Sequence, residues 1–203
     1  MKRIVLSALT ILGVSGLVVG GTQAVFTDTE TSNGNTFAAG TLDLNIDGGD
    51  TNVVKFNLPS LRPGNQPKGS YTLANVGTIN GYLDVTDISF SSDENGCIDP
   101  EVDALDVTCG DPGTGEGELA DVLNIRLFVD RDGDGWIGGG DTVFYNGLVK
   151  DLPADFTSLN EPVNAGDDTK IVALFDWWST PDDNKAQGDS MTLNLGFTLS
   201  QNP

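Results

Sequence analysis

The run from Met191 to Ser200 alternates without a break. Met191, Leu193, Leu195, Phe197 and Leu199 are apolar, and Thr192, Asn194, Gly196, Thr198 and Ser200 between them are small or polar. A period of two marks a β-strand with one face buried, because successive side chains leave opposite faces. The same period returns in Leu42, Leu44 and Ile46, and in Leu123, Ile125, Leu127 and Val129. Shorter candidates are Val53 to Phe56, Ser70 to Ala74, Gly81 to Val85 and Thr142 to Tyr145. Ile171 to Trp177 is apolar on both parities except at Asp176, the pattern of a central strand buried on both faces. Apolar parity switches between Leu83/Val85 and Ile88/Phe90, which predicts a β-bulge near Thr86. No long window beyond the first two dozen residues carries a helical period. Short strands separated by Gly, Pro, Asn and Asp predict an all-β fold, a two-sheet antiparallel sandwich.

The N-terminus has a different character. Met1-Lys2-Arg3 is basic, Ile4 to Val19 is almost wholly apolar or small, and Thr22-Gln23-Ala24 supplies small residues where a signal peptidase reads. This predicts a signal peptide over 1–24, cleaved after Ala24. The apolar run is also nearly long enough for an uncleaved anchor. Residues 25–40 are polar, with apolar anchors at Val25, Phe26 and Phe37, and lead into a single sandwich domain over 41–203.

Charge narrows the partners. Thirty Asp and Glu face ten Lys and Arg, a net charge of −20. Such a surface repels nucleic acid and anionic membranes, so neither is an expected partner of the mature chain. It suits cations or high salt, and many of these carboxylates need no role beyond solvation. The chain has no histidine. That removes the Ser-His-Asp triad, the Cys-His dyad and the HExxH zinc helix. Cys97 and Cys109 are the two cysteines, and in an exported chain they are expected to pair. Closing so short a loop contributes about 3 kcal/mol in the chain-entropy account.

The sharpest motif is Asp130-Arg-Asp132-Gly-Asp134-Gly135-Trp136-Ile-Gly-Gly-Gly-Asp141. It has the calcium-loop spacing, with oxygens at positions 1, 3 and 5, glycine at 6 and an acid at 12. Asp130, Asp132, Asp134 and Asp141 would supply carboxylates and Trp136 its carbonyl. The flanks read as strands, so this is a hairpin loop and not an EF-hand. An Asp-Gly hairpin turn without metal explains the same residues. Cys97 to Leu119 is a Gly- and acid-rich insertion in which Val102 to Leu105 has room for one helical turn. Asp99, Glu101, Asp103 and Asp106 inside it offer a second, less specific oxygen set.

The junction Gly20-Gly-Thr-Gln-Ala24-Val-Phe26-Thr-Asp28, followed by Asn35-Thr-Phe37-Ala-Ala-Gly40-Thr-Leu42-Asp-Leu44, resembles the TasA/camelysin family. Leu61-Arg-Pro63-Gly64, Asn75-Val-Gly77-Thr, Ala186-Gln-Gly188-Asp-Ser190 and Leu195-Gly-Phe197 carry the likeness across the domain. The resemblance implies a jelly-roll-like sandwich exported to the cell surface or biofilm matrix. It also implies head-to-tail self-assembly into filaments, in which the N-terminal segment of one subunit completes the sheet of the next. The insertion and the Asp130 loop are not landmarks of that likeness. The expectation is a structural, non-enzymatic subunit whose cofactor is calcium and whose partner is itself. A monomeric calcium-binding surface or adhesion module is the alternative, and a secreted camelysin-type metalloprotease a more distant one.

Overall fold

The strand Asp168–Trp177 (β7) lies at the centre of the larger of two sheets, and Ile171 to Trp177 are all buried. The computed structural model describes residues 40–49, 63–177 and 184–203. The chain divides into two compact units, Met1–Ala38 and Ala39–Pro203, and every described residue belongs to the second. The predicted leader, the cleavage point at Ala24, the anchors Val25, Phe26 and Phe37, and the strand expected over 53–56 all lie outside the described residues.

Eight strands are found among the described residues. They are β1 (Leu44–Ile46), β2 (Lys68–Asn75), β3 (Gly81–Asp93), β4 (Leu123–Val129), β5 (Thr142–Leu148), β6 (Phe156–Val163), β7 and β8 (Ser190–Ser200). The larger sheet has the order β1-β2-β7-β4-β5 and the smaller β6-β3-β8, with antiparallel pairing throughout. The two-sheet antiparallel sandwich is therefore as expected. β7 pairs with β2 on one side and β4 on the other, which satisfies its backbone while both faces are covered. Its odd residues Ile171, Ala173, Phe175 and Trp177 point between the sheets, against Leu73, Leu83, Val85, Ile125 and Leu127. Its even residues Val172 and Leu174 pack with Phe128 in a separate cluster. Each fully buried Leu or Ile contributes about 2 kcal/mol of apolar burial.

The parity switch in β3 is a real irregularity. Pairing with β8 shifts register between Thr86 and Ser89, and Asp87 sits at φ 50°. β6 had no clear sequence signal, because Asn160, Glu161 and Pro162 interrupt its alternation. Its position explains the tolerance: among the described residues β6 is an edge strand, where a proline removes no needed donor. Cys97 and Cys109 are bonded, and the loop they close holds a short helix, α1 (Asp99–Asp103), close to where one turn was expected. A second short helix, α2 (Leu119–Val122), leads into β4.

Asn75 ties the two sheets at one end. It is fully buried at the end of β2. Its amide nitrogen donates to the carbonyls of Ile79 (2.8 Å) and Val163 (3.1 Å), and its side-chain oxygen accepts from Gly77 N–H (3.1 Å). A Cβ on Gly77 would lie 2.2 Å from the Thr41 carbonyl oxygen, so the Asn-Val-Gly turn admits only glycine there. Asn75→Ala removes three hydrogen bonds to backbone groups, one of them buried and two part-buried. It is expected to lower stability by about 2–3 kcal/mol, read from the urea midpoint at unchanged m.

Candidate metal centre

Asp130 follows β4 directly and Asp141 precedes β5, so the motif residues form the connection of a hairpin. Asp130 continues the ladder, its N–H donating to Lys170 O at 2.8 Å. Its side chain is buried, and its two oxygens accept from Gly133 N–H (2.8 Å) and Gly135 N–H (3.1 Å). Gly133 and Gly135 have φ of +79° and +74°, the left-handed turn for which the motif keeps glycine. Asp132 accepts from Asp134 N–H at 3.2 Å. Asp141 accepts from Arg131 N–H (2.9 Å) and Gly138 N–H (2.7 Å), and these donors hold its carboxyl below the usual range.

The fold thus brings Asp130, Asp132 and Asp141 together, one oxygen of each lying within 4.8 Å of the others. The Trp136 carbonyl borders the same space. A Cβ on Gly138 would sit 3.1 Å from Asp132 Oδ2, 3.7 Å from Asp141 Oδ2 and 3.9 Å from Trp136 O. Asp134 stands outside the group, its carboxylate taken by Trp136 N–H at 2.6 Å.

Cationic side chains already crowd this loop. Lys170 Nζ is 3.6 Å from Asp130 Oδ2 and donates to Gly133 O. Lys68 Nζ donates to Gly135 O at 2.9 Å and lies 4.0 Å from the centre of the Trp136 ring, a cation–π contact. Arg131 reaches the other sheet and forms a two-pronged pair with Glu161 on β6, both contacts at 2.7 Å. Glu161 is buried.

The acids of the insertion divide. Asp99 and Asp103 are exposed, whereas Glu101 is fully buried and Asp106 half-buried. Sequence reading missed their companions Glu94, Glu118 and Asp189. Glu94, Glu101 and Asp189 form one close group, and Glu94, Asp106 and Glu118 another. The five come from the end of β3, the disulfide loop, the start of α2 and the approach to β8, so no spacing rule connects them. Burial raises Glu101 and Glu118 above the usual carboxylate range, and their like-charged neighbours add to it. Asp189 is pushed up to about 7, chiefly by burial and then by the charges of Glu94, Glu118 and Glu101.

Two expectations follow from these geometries. Arg131→Ala strands the buried Glu161 carboxylate and is expected to cost about 2 kcal/mol in urea denaturation, with Arg131→Lys restoring only part. For Asp189, the folded protein holds a proton that the unfolded chain releases near pH 4. Between about pH 4 and pH 7 the folded state therefore binds more protons, so this group's contribution to stability falls as pH rises. In chelator, wild type should lose more melting temperature from pH 5 to pH 8 than Asp189→Asn does. Glu94, Glu101 and Glu118 are the charged groups around it that both proteins share.

A family model described as camelysin metallo-endopeptidase matches residues 2–105, about half of the chain. The match runs through β1 to β3 and ends inside the loop closed by Cys97 and Cys109. No curated protein matches the chain. With over half its length matched and a disulfide-bearing β-sandwich in place, the chain belongs to the camelysin family.

Proposed function

We propose that the chain is an extracellular structural subunit that polymerises head to tail. The segment from Val25 to Phe37 of one copy adds a strand to the sheet of the next, and calcium at the Asp130 loop stiffens the hairpin. The observation that carries this reading is the outer edge of β8. β8 runs for eleven residues and pairs with β3 on one side. Among the described residues no strand pairs on its other side. Its apolar row, Met191, Leu193, Leu195, Phe197 and Leu199, is only half-buried although it faces the core. A long regular edge with a half-covered apolar face is what an added strand completes, through backbone bonds and side-chain cover together. A contact between two different surfaces that does not close into a ring extends into a filament.

The family's name implies a catalytic metal, and this chain's residues do not fit one of the zinc type. It has no histidine, and both cysteines are in the disulfide. Carboxylates alone are a poor set for catalytic zinc, which keeps an open position beside nitrogen or sulfur ligands. They suit calcium, which takes six to eight oxygens. Among the described residues no helix is long and apolar enough to cross a membrane. The disulfide fits an oxidising exterior.

Removing Val25 to Phe37 from the mature protein is expected to abolish fibres in electron micrographs while circular dichroism still reports the β-fold. Fibres that persist in the truncated protein refute strand exchange. Calcium should raise the melting temperature relative to chelator, and Asp132→Asn should diminish the rise. Casein cleavage that is lost in chelator would instead favour the peptidase reading.

A further inference from the structure

Each of five carboxylates, Glu94 and Glu101 buried and the other three half-buried, has one oxygen fastened and one buried oxygen bare. Glu94 Oε1 accepts from Gly96 N–H at 2.6 Å, and Glu94 Oε2 has no partner. Glu101 Oε2 accepts from Ile98 N–H at 2.8 Å, and Oε1 has none. Asp189 Oδ2 accepts from Glu118 N–H at 2.6 Å, and Oδ1 has none. Asp106 Oδ1 accepts from Thr108 N–H at 2.8 Å, leaving Oδ2 bare. Glu118 Oε1 lies 2.7 Å from the Thr108 hydroxyl, leaving Oε2 bare. That hydroxyl is also 2.6 Å from Asp106 Oδ1, and its single hydrogen serves only one of the two. Glu101 is fully buried and Glu94 is 3 % exposed. Lys185 lies close enough to Asp106 to favour its charged form, whereas the charged neighbours of Glu101, Glu118 and Asp189 are acids.

Buried charge without a partner is costly, so an arrangement like this needs something cationic at its centre. We propose that Glu94, Glu101, Asp106, Glu118 and Asp189 form a buried calcium site that fastens the disulfide-closed insertion to the sandwich. The fastened oxygens set the side-chain rotamers and the bare ones are the ligands. In each of the two groups that share Glu94, one carboxylate oxygen of each residue lies within 4.8 Å of those of the other two. That span is twice a calcium–oxygen distance of about 2.4 Å. The donors are all oxygen, which selects a hard cation over zinc or copper. A set drawn wholly from protein carboxylates favours calcium over magnesium, which keeps its waters and a strict octahedron. The backbone makes room for them. A Cβ on Gly188 would lie 3.0 Å from the bare Glu101 Oε1, and one on Gly117 would lie 3.0 Å from Asp189 Oδ2. The site draws on β3, the disulfide loop, the residue before α2 and the residue before β8, so bound calcium cross-links four separate stretches. It serves the fold of each subunit and stands whether or not subunits polymerise.

The test uses the full mature chain, freed of metal with chelator and titrated with calcium chloride. Asp132→Asn forms the background, so that the hairpin loop does not contribute. In that background, calcium at about a hundred times its Kd should raise the melting temperature by about 5–10 °C. Adding Glu94→Gln and Glu101→Gln should abolish the rise. In chelator the triple variant should melt no lower than its parent, because glutamine keeps the fastening bonds and removes two like charges. A purely structural role for these glutamates predicts the opposite on both counts. Equilibrium dialysis of the Asp132→Asn protein, which needs no change in the cluster, should recover bound calcium. No bound calcium there, or an undiminished rise in the glutamine variant, overturns the site.

Discussion

The fold hangs on β7. A strand apolar on both faces can exist only where both of its edges are paired and both of its sides covered, and its neighbours β2 and β4 supply the pairing. Asp176 is the one charge it carries through this region. Arg126 from β4 and Gln66 both hold its carboxylate, so it is buried without being bare. The candidate metal loop is attached to β7 at its leading end. The Lys170 carbonyl starts the turn at Asp130, and the Lys170 ammonium balances the carboxylate there.

The molecule treats buried negative charge in two ways. Around the Asp130 loop, Lys68, Lys170 and Arg131 supply positive charge, and backbone N–H groups occupy most carboxylate oxygens. That loop closes on itself through hydrogen bonds of the protein alone. Around Glu94 the compensation is slighter. Backbone N–H groups hold one oxygen each of Glu94, Glu101 and Asp189, Lys185 favours the charge of Asp106, and among the described residues five oxygens are left bare. A cation at the loop competes with lysines, whereas a cation at the Glu94 cluster meets an unbalanced field. The motif most visible in the sequence is thus electrostatically the more complete of the two, and the cluster no motif describes is the less complete.

The open side of the smaller sheet is the other asymmetry. Among the described residues β2, β4 and β7 have neighbours on both sides, while β8, equally regular and longer, has one. The apolar row of β8 lies over both halves of the interior, against Tyr71 and Leu83 at one end and Phe175 and Trp177 at the other. A strand laid beside it would therefore cover the core along much of its length. A net charge of −20 opposes indiscriminate pairing of such edges between copies.

Strand alternation, the two-faced β7, the bulge in β3, the Cys97–Cys109 pairing and the turn residues of the Asp130 loop were legible in the sequence. Each is a local rule acting over a few neighbouring residues: a period of two, a parity slip, a short closed loop, a glycine at positive φ. β6 was not legible, because its proline and its kink at Asn160 are acceptable only at an edge, and edges exist only once sheets are assembled. The partners of Glu101 and Asp106 were not legible either. Glu118 and Asp189 are 71 residues apart in sequence yet share a hydrogen bond, and nothing in the spacing announces it. The sequence by itself determined that this chain is an acidic, disulfide-bearing β-sandwich. Only the tertiary structure decided which carboxylates meet and which are left uncompensated, because desolvation and proximity are properties of packing and not of order along the chain.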